Sequence, residues 1–294
     1  MDTIKYFDFD CVPLQNKSIS LLITQSAGPR IISLCFNGEN NLFAELPDFI
    51  TERPDGKLFH FYGGHRLWHA PENMPRTYVP DDGSVDVILA KNDLSVLQQV
   101  ESETGIEKSI RISLVEDKPQ VIIRHMLTNR NPWTIECAPW AIAQFTTGGV
   151  AILPQSREQV NFLPNRSLAL WSYTDLASPQ VSWGNRYILV RAEMTSPFKV
   201  GFPNPRGWLA YWLDGTLFVK RASYDVQAEY YDFGSSSECY CNDRFLELET
   251  LAPISRIEPG ASATHTETWE LYADVEYPEN EDAAQKIVEK LGLE

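Results

Sequence analysis

The chain has 294 residues, 43% of them hydrophobic and 12% aromatic, which is enough apolar material for one large core. Its 25 Lys and Arg against 40 Asp and Glu leave a net charge of −15. That charge repels phosphate backbones and anionic lipid heads, so no nucleic-acid or membrane partner is expected.

Short segments rich in β-branched residues, separated by Gly, Pro, Asn or Asp, dominate the chain. Strands are predicted over Ser18–Thr24, Arg30–Phe36, Val85–Ala90, Leu94–Glu101, Ile106–Val115 and Gln120–Leu127. They resume at Arg186–Glu193, Trp208–Leu213, Thr216–Arg221, Arg244–Leu251 and Ala263–Tyr272, with Asp214-Gly215 as a tight hairpin turn. The stretches Trp133–Asn165 and Ala222–Asp243 read as long connections, where ligands often bind. Ala284, Ile287, Val288 and Leu291 recur at helical spacing before Gly292, which predicts a helix over Glu281–Leu291. The expectation is an all-β fold, a large antiparallel two-sheet β-sandwich over residues 1–294 as one domain, with a short C-terminal helix.

No run of about 18 apolar residues is present, and the opening residues lack a basic region followed by an apolar core. Five cysteines without metal-finger spacing read as reduced thiols, so a cytoplasmic location is expected.

The densest cluster of polar chemistry is Tyr62-Gly63-Gly64-His65-Arg66-Leu67-Trp68-His69-Ala70-Pro71-Glu72. The paired glycines permit a tight turn, and the residues after them suit a site for a polar small molecule. His65 and His69 have the i, i+4 spacing of metal ligands on a helix, but the flanking glycines and Pro71 disfavour a helix and no third ligand is evident, so no metal is expected. A purely structural loop with Trp68 packed, or a polyol site, accounts for the cluster equally. In the second case imidazole and guanidinium grip hydroxyls while the indole offers a flat apolar face.

A second candidate is Arg244-Phe-Leu-Glu-Leu-Glu-Thr-Leu251. On a strand Glu247 and Glu249 share a face, roughly 6.6 Å apart at their origins. Facing a cleft, their repulsion and desolvation raise at least one pKa toward neutrality, as acid–base catalysis needs; facing solvent, they are two ordinary surface glutamates. Trp140, in an irregular segment, fits either core or a ligand platform. Gly-x-Ser-x-Gly is absent, and Gly234–Glu238 lacks the ending of a phosphate loop. No cofactor is expected.

In three stretches the chain resembles the galactose mutarotase-like (aldose 1-epimerase) superfamily, and more narrowly an uncharacterised bacterial branch of it. They are Gly63–Trp68, then Leu127-Thr-Asn-Arg-Asn-Pro-Trp133, and finally Leu248-Glu249-Thr250 with Pro253, Glu258-Pro259-Gly260 and a closing strand. The resemblance implies a β-sandwich with a sugar cleft, Glu249 as the general base on the anomeric hydroxyl, and Arg66 on sugar hydroxyls. Where the superfamily supplies an acid histidine, Thr134–Gln144 has none. His65 or His69 then has to serve. The resulting expectation is an aldose 1-epimerase-type isomerase for a small-molecule sugar, with Glu249 and His65 catalytic and Arg66, Trp68, His69, Glu247 and Trp140 binding substrate. The alternatives are a non-catalytic carbohydrate-binding or sensing protein, and a polysaccharide lyase or glycoside hydrolase accessory domain.

Overall fold

The computed structural model describes residues 3–74, 76–91 and 93–294. In chain order the strands are β1 (Ile4–Tyr6), β2 (Phe9–Gln15), β3 (Ile19–Thr24), β4 (Arg30–Phe36), β5 (Glu45–Glu52), β6 (Leu58–Ala70), β7 (Asp86–Ala90), β8 (Asp93–Leu97), β9 (Ile106–Leu114), β10 (Gln120–Asn129) and β11 (Ile135–Phe145). They continue as β12 (Val150–Pro154), β13 (Ala169–Leu170), β14 (Val181–Trp183), β15 (Tyr187–Arg191), β16 (Phe198–Phe202), β17 (Trp208–Leu213), β18 (Thr216–Ala222), β19 (Ser237–Cys241), β20 (Leu246–Leu251), β21 (Ser255–Ile257) and β22 (Ser262–Tyr272). A C-terminal helix α1 (Glu281–Leu291) follows. The residues Tyr231–Gly234 form an irregular turn, with Asp232 at φ 50° and Phe233 at φ 58°.

Among the described residues the strands form two antiparallel sheets. One has twelve strands in the order β1-β2-β3-β4-β6-β11-β20-β19-β16-β13, with β5 added to β6 and β21 to β11. The other has ten, in the order β14-β15-β12-β17-β18-β22-β10-β9-β8-β7. Leu21, Ile31, Ile123, Phe145, Phe218, Leu248 and Trp269, drawn from both sheets, belong to the core packed between them. Alternation then decides what each strand shows to the other side.

The outer face of the ten-stranded sheet is covered by α1. Ala284, Ile287 and Val288 pack on Ile152, Leu189, Trp208 and Leu217. Asn280 caps the helix by accepting from the backbone N–H groups of Asp282 and Ala283, and Gly292 ends it at φ 64°. The Asp214-Gly215 hairpin forms as expected, both residues having positive φ (46° and 84°).

The glycine cluster is not a turn. It lies in the middle of β6, the thirteen-residue strand between β4 and β11. Tyr62, Gly63 and Gly64 have φ of 57°, 93° and 76°, which kinks the strand. A Cβ on Gly63 would stand 1.8 Å from the Ala44 carbonyl oxygen, and one on Gly64 2.2 Å from that of Ile31. Glycine is required there by backbone approach as well as by φ. The kink also resets the alternation, so Phe59 and Phe61 before it share a face with Arg66 and Trp68 after it.

Candidate active site

Strands β6, β11, β20, β19 and β16 lie side by side, and their outward side chains form the floor of a cleft of about 410 Å3. Arg66 and Trp68 come from β6, Trp140 and Ile142 from β11, Glu247 from β20, Tyr240 from β19 and Lys199 from β16. The walls include Phe49, Phe61, Tyr78, Tyr173 and Phe245. The volume and a lining half made of aromatic residues suit a small organic ligand.

Two charge pairs sit in this floor. Arg66 Nη2 donates to Glu247 Oε1 at 3.1 Å, and its guanidinium lies 5.2 Å from the Phe61 ring centre and 4.3 Å from that of Trp68. Lys199 Nζ lies 3.0 Å from Glu249 Oε2 and 2.7 Å from Glu238 Oε2, between the rings of Trp140 (4.8 Å) and Trp171 (4.7 Å). Trp140 Nε1 also donates to Glu249 Oε2, at 2.8 Å.

The two glutamates of β20 differ in access. Glu247 is 8% exposed and lines the cleft, whereas Glu249 is 0% exposed beneath Trp140 and Lys199. Burial pushes the Glu247 carboxyl up to about 7; Arg66 opposes this and the neighbouring Glu249 reinforces it. Glu238 is raised well above the usual carboxylate range by burial, despite Lys199. Burial would lower Lys199, but Glu238 and Glu249 outweigh it and hold the ammonium well above its ordinary value. Several buried polar atoms of this floor lack a partner among the described residues: Arg66 Nε and Nη1, both side-chain polar atoms of Gln144, and Glu249 Oε1.

Of the residues singled out in the sequence, Arg66, Trp68, Trp140 and Glu247 meet at the cleft, and Glu249 lies on the same sheet face just below it. His65 and His69 do not join them. Alternation past the kink turns both to the opposite face of β6 from Arg66 and Trp68, and both are fully buried. His69 Nε2 is 3.4 Å from Glu101 Oε2, and burial lowers its pKa. The expected pairing of His65 with Glu249 therefore does not occur, because the sheet itself separates them. Asn129, in the second resembling stretch, donates through Nδ2 to the carbonyls of Trp133 and Ile257, a structural clasp.

His65 instead belongs to a buried network between the sheets. Its Nε2 is 2.7 Å from His125 Nε2, and His125 Nδ1 is 3.2 Å from the His265 carbonyl. A carbonyl only accepts, so His125 carries its proton on Nδ1 and His65 Nε2 donates. His265 Nε2 then donates to Thr250 Oγ1 at 2.7 Å, and Thr250 donates to Glu267. Glu267 Oε2 accepts from Trp269 Nε1 at 3.0 Å, and Oε1 pairs with Lys220 Nζ at 2.8 Å. Burial holds His125 down at about 4, His265 at about 3 and His65 well below its ordinary value. His65, His125 and Glu267 bring ligand atoms within 4.8 Å of one another. However, the His125 lone pair is already used and Lys220 already supplies the cation, so this trio fits a hydrogen-bonded core better than a metal centre.

Sequence reasoning passed over Lys199, Glu238, Tyr173, Tyr240 and Phe245. A signal existed for the first two: each is a lone charge inside a short apolar strand, in Phe-Lys-Val-Gly-Phe and Ser-Glu-Cys-Tyr-Cys.

No family model and no curated sequence matches this chain. Solved structures do match. A galactose mutarotase-like protein from Lactobacillus casei aligns at TM-score 0.59 and 11% identity, over 89% of this chain and 100% of its own. A galactose mutarotase related enzyme from Lactobacillus acidophilus aligns at TM-score 0.53 and 10% identity, over 91% of this chain and 99% of its own. A TPR-domain containing protein from Parabacteroides distasonis aligns at TM-score 0.61 and 13% identity over 90% of this chain, which spans only 47% of that protein. The fold of this chain is the galactose mutarotase-like β-sandwich.

Proposed function

We propose that the cleft binds an uncharged pyranose and that Glu247 interconverts its anomers. The observation that carries this reading is the carboxyl of Glu247, set in the cleft floor, tethered through one oxygen to Arg66, and pushed by burial up to about 7. There it can both take and return a proton. The anomeric hydroxyl O1 and the ring oxygen O5 are bonded to the same carbon, so one carboxylate reaches both. Glu247 removes the O1 proton, the C1–O5 bond breaks as the C1=O1 bond forms, and Glu247 returns the proton to O5. Rotation about C1–C2 and reversal of these steps gives the other anomer. Arg66 Nη2, bonded to Glu247 Oε1, fixes the orientation of that carboxyl in the cleft.

The cleft places donors and acceptors side by side, Arg66 and Lys199 with Glu247 and the Tyr173 and Tyr240 hydroxyls, which suits hydroxyl groups that donate and accept at once. The aromatic walls suit the apolar faces of a sugar ring. The shared fold with galactose mutarotase-like proteins supports the same substrate class. Because the resemblance points to Glu249 and the geometry to Glu247, both are tested. Anomer exchange followed by polarimetry across common aldoses is expected to accelerate with the wild-type protein. Glu247→Gln loses roughly a hundredfold or more of it, and the wild-type rate falls as pH drops below about 7. Loss in Glu249→Gln with full activity in Glu247→Gln would reassign the base. No acceleration of any aldose would refute catalysis.

One observation favours a second reading, a non-catalytic sugar-binding protein: none of the five histidines lines the cleft. Sugars that raise thermal stability without hastening anomer exchange would establish it.

A further inference from the structure

The floor of the cleft carries two cations, each stacked on aromatic rings and paired with carboxylate. At one place a carboxylate of β20, Glu247, pairs with a cation, Arg66, that is stacked on Phe61 and Trp68. At the other, the next outward carboxylate of β20, Glu249, shares with Glu238 the cation Lys199, stacked between Trp140 and Trp171. Both cations line the cavity, although they come from β6 and β16, which have β11, β20 and β19 between them. Four interstrand steps of about 4.8 Å separate those strand axes by roughly 19 Å, more than one pyranose ring spans. Side chains bridge that distance: Trp140 packs edge-on to Trp68 at 5.4 Å between ring centres and lies 4.8 Å from Lys199, so one aromatic platform joins the two cations, and Tyr173 and Pro197 add to the lining. Neither cation is free to neutralise an anionic ligand, since each already faces a carboxylate. What the Lys199 end offers is aromatic surface and polar atoms, the same combination as the Glu247 end.

We infer that the cleft has two adjacent sugar subsites, and that its ligand is a reducing disaccharide whose reducing residue lies at Glu247 and whose second residue lies against Trp140, Tyr173 and Lys199. This rests on the sugar reading above and adds the size and polarity of the ligand to it. A second ring stacked on aromatic faces adds affinity without charge, and the acidic protein surface is compatible with a neutral ligand.

The test compares sugars that share one reducing residue: glucose with maltose, cellobiose and lactose, and mannose and galactose with their 1,4-linked disaccharides. Anomer exchange gives kcat/KM, and a thermal-shift titration gives Kd for the same pairs. At least one disaccharide is expected to exceed its monosaccharide by roughly tenfold in either readout, about 1.4 kcal/mol. Tyr173 is 45% exposed and outside the core, so Tyr173→Ala is expected to fold and to bring the disaccharide-to-monosaccharide ratio down toward one. Equal values for mono- and disaccharides, or a ratio unmoved by Tyr173→Ala, would overturn the two-subsite inference while leaving the sugar reading intact. If no sugar of either size is turned over or bound, the sugar reading itself fails. Preferential binding of a sugar phosphate would overturn the neutral-ligand assignment.

Discussion

Replacing Lys220 by methionine removes the one cation of the network between the sheets. Its ammonium uses all three protons, toward Glu267 Oε1 at 2.8 Å, the Ala141 carbonyl at 2.9 Å and the Leu248 carbonyl at 3.0 Å. Lys220 and Glu267 are both fully buried, so neither water nor salt can take the place of the lost partner. Breaking a buried pair from one side costs about 3–5 kcal/mol, and each carbonyl left unpaired adds about 1 kcal/mol. The variant is expected to lose about 5 kcal/mol, a third or more of the stability of an ordinary domain. That corresponds to a fall in Tm of roughly 10 °C or more. Urea unfolding followed by far-UV circular dichroism measures it. Adding Glu267→Gln removes the stranded charge and is expected to restore about half of the loss, which a double-mutant cycle reads as coupling. A single-variant cost under about 1 kcal/mol, or strictly additive variants, would refute the view that Lys220 compensates Glu267.

Two further outcomes follow from the same core. His125 and His265 have folded pKa values of about 4 and 3, below the ordinary 6.5, so the unfolded chain takes up protons first as pH falls. Their contribution to stability is full above 6.5 and is lost as pH drops toward 4. His125 alone accounts for about 3 kcal/mol. Urea midpoints that stay level from pH 7 to 4.5 would contradict the neutral assignment. Gly64→Ala forces a Cβ against the Ile31 carbonyl at φ 76° and is expected to cost about 3 kcal/mol or more in the same urea assay; a cost under 1 kcal/mol would show that β4 and β6 separate readily.

The parts of the fold legible in the sequence are those with one wet face or a strong stop signal. Strands β9, β10 and β22 alternate buried with more exposed positions, and helix α1 carries both its apolar spacing and its caps. Strand β11 was read as a connection because nine of its eleven residues are buried, which leaves no period of two to detect. Strand β6 was hidden by Gly63-Gly64, residues that mark turns in most chains and here mark a kink inside a strand. The same misreading placed His65 with Arg66, since neighbours in a loop can share a site while neighbours in a strand face opposite ways. The Glu247/Glu249 face was legible because two charges in an otherwise apolar strand are costly unless something engages them. Which of the two meets the cleft was not, since that depends on Trp140 and Lys199 arriving from distant strands.

Alternation also ties the two polar regions of the molecule together. Arg66 and Glu249 on the cleft side are followed or preceded directly by His65 and Thr250 on the inner side, and Lys220 bonds from behind to the carbonyls of Ala141 and Leu248, next to Trp140, Ile142, Glu247 and Glu249. The strands β6, β11 and β20 are thus anchored at their backs by the histidine and lysine network, while β19 and β16 rest on the apolar core through Cys239, Cys241, Phe198 and Val200. A floor fastened in this way has little freedom to rearrange, so recognition falls to surfaces already in place, and any adjustment to a ligand is left to the walls around Tyr173 and Phe49.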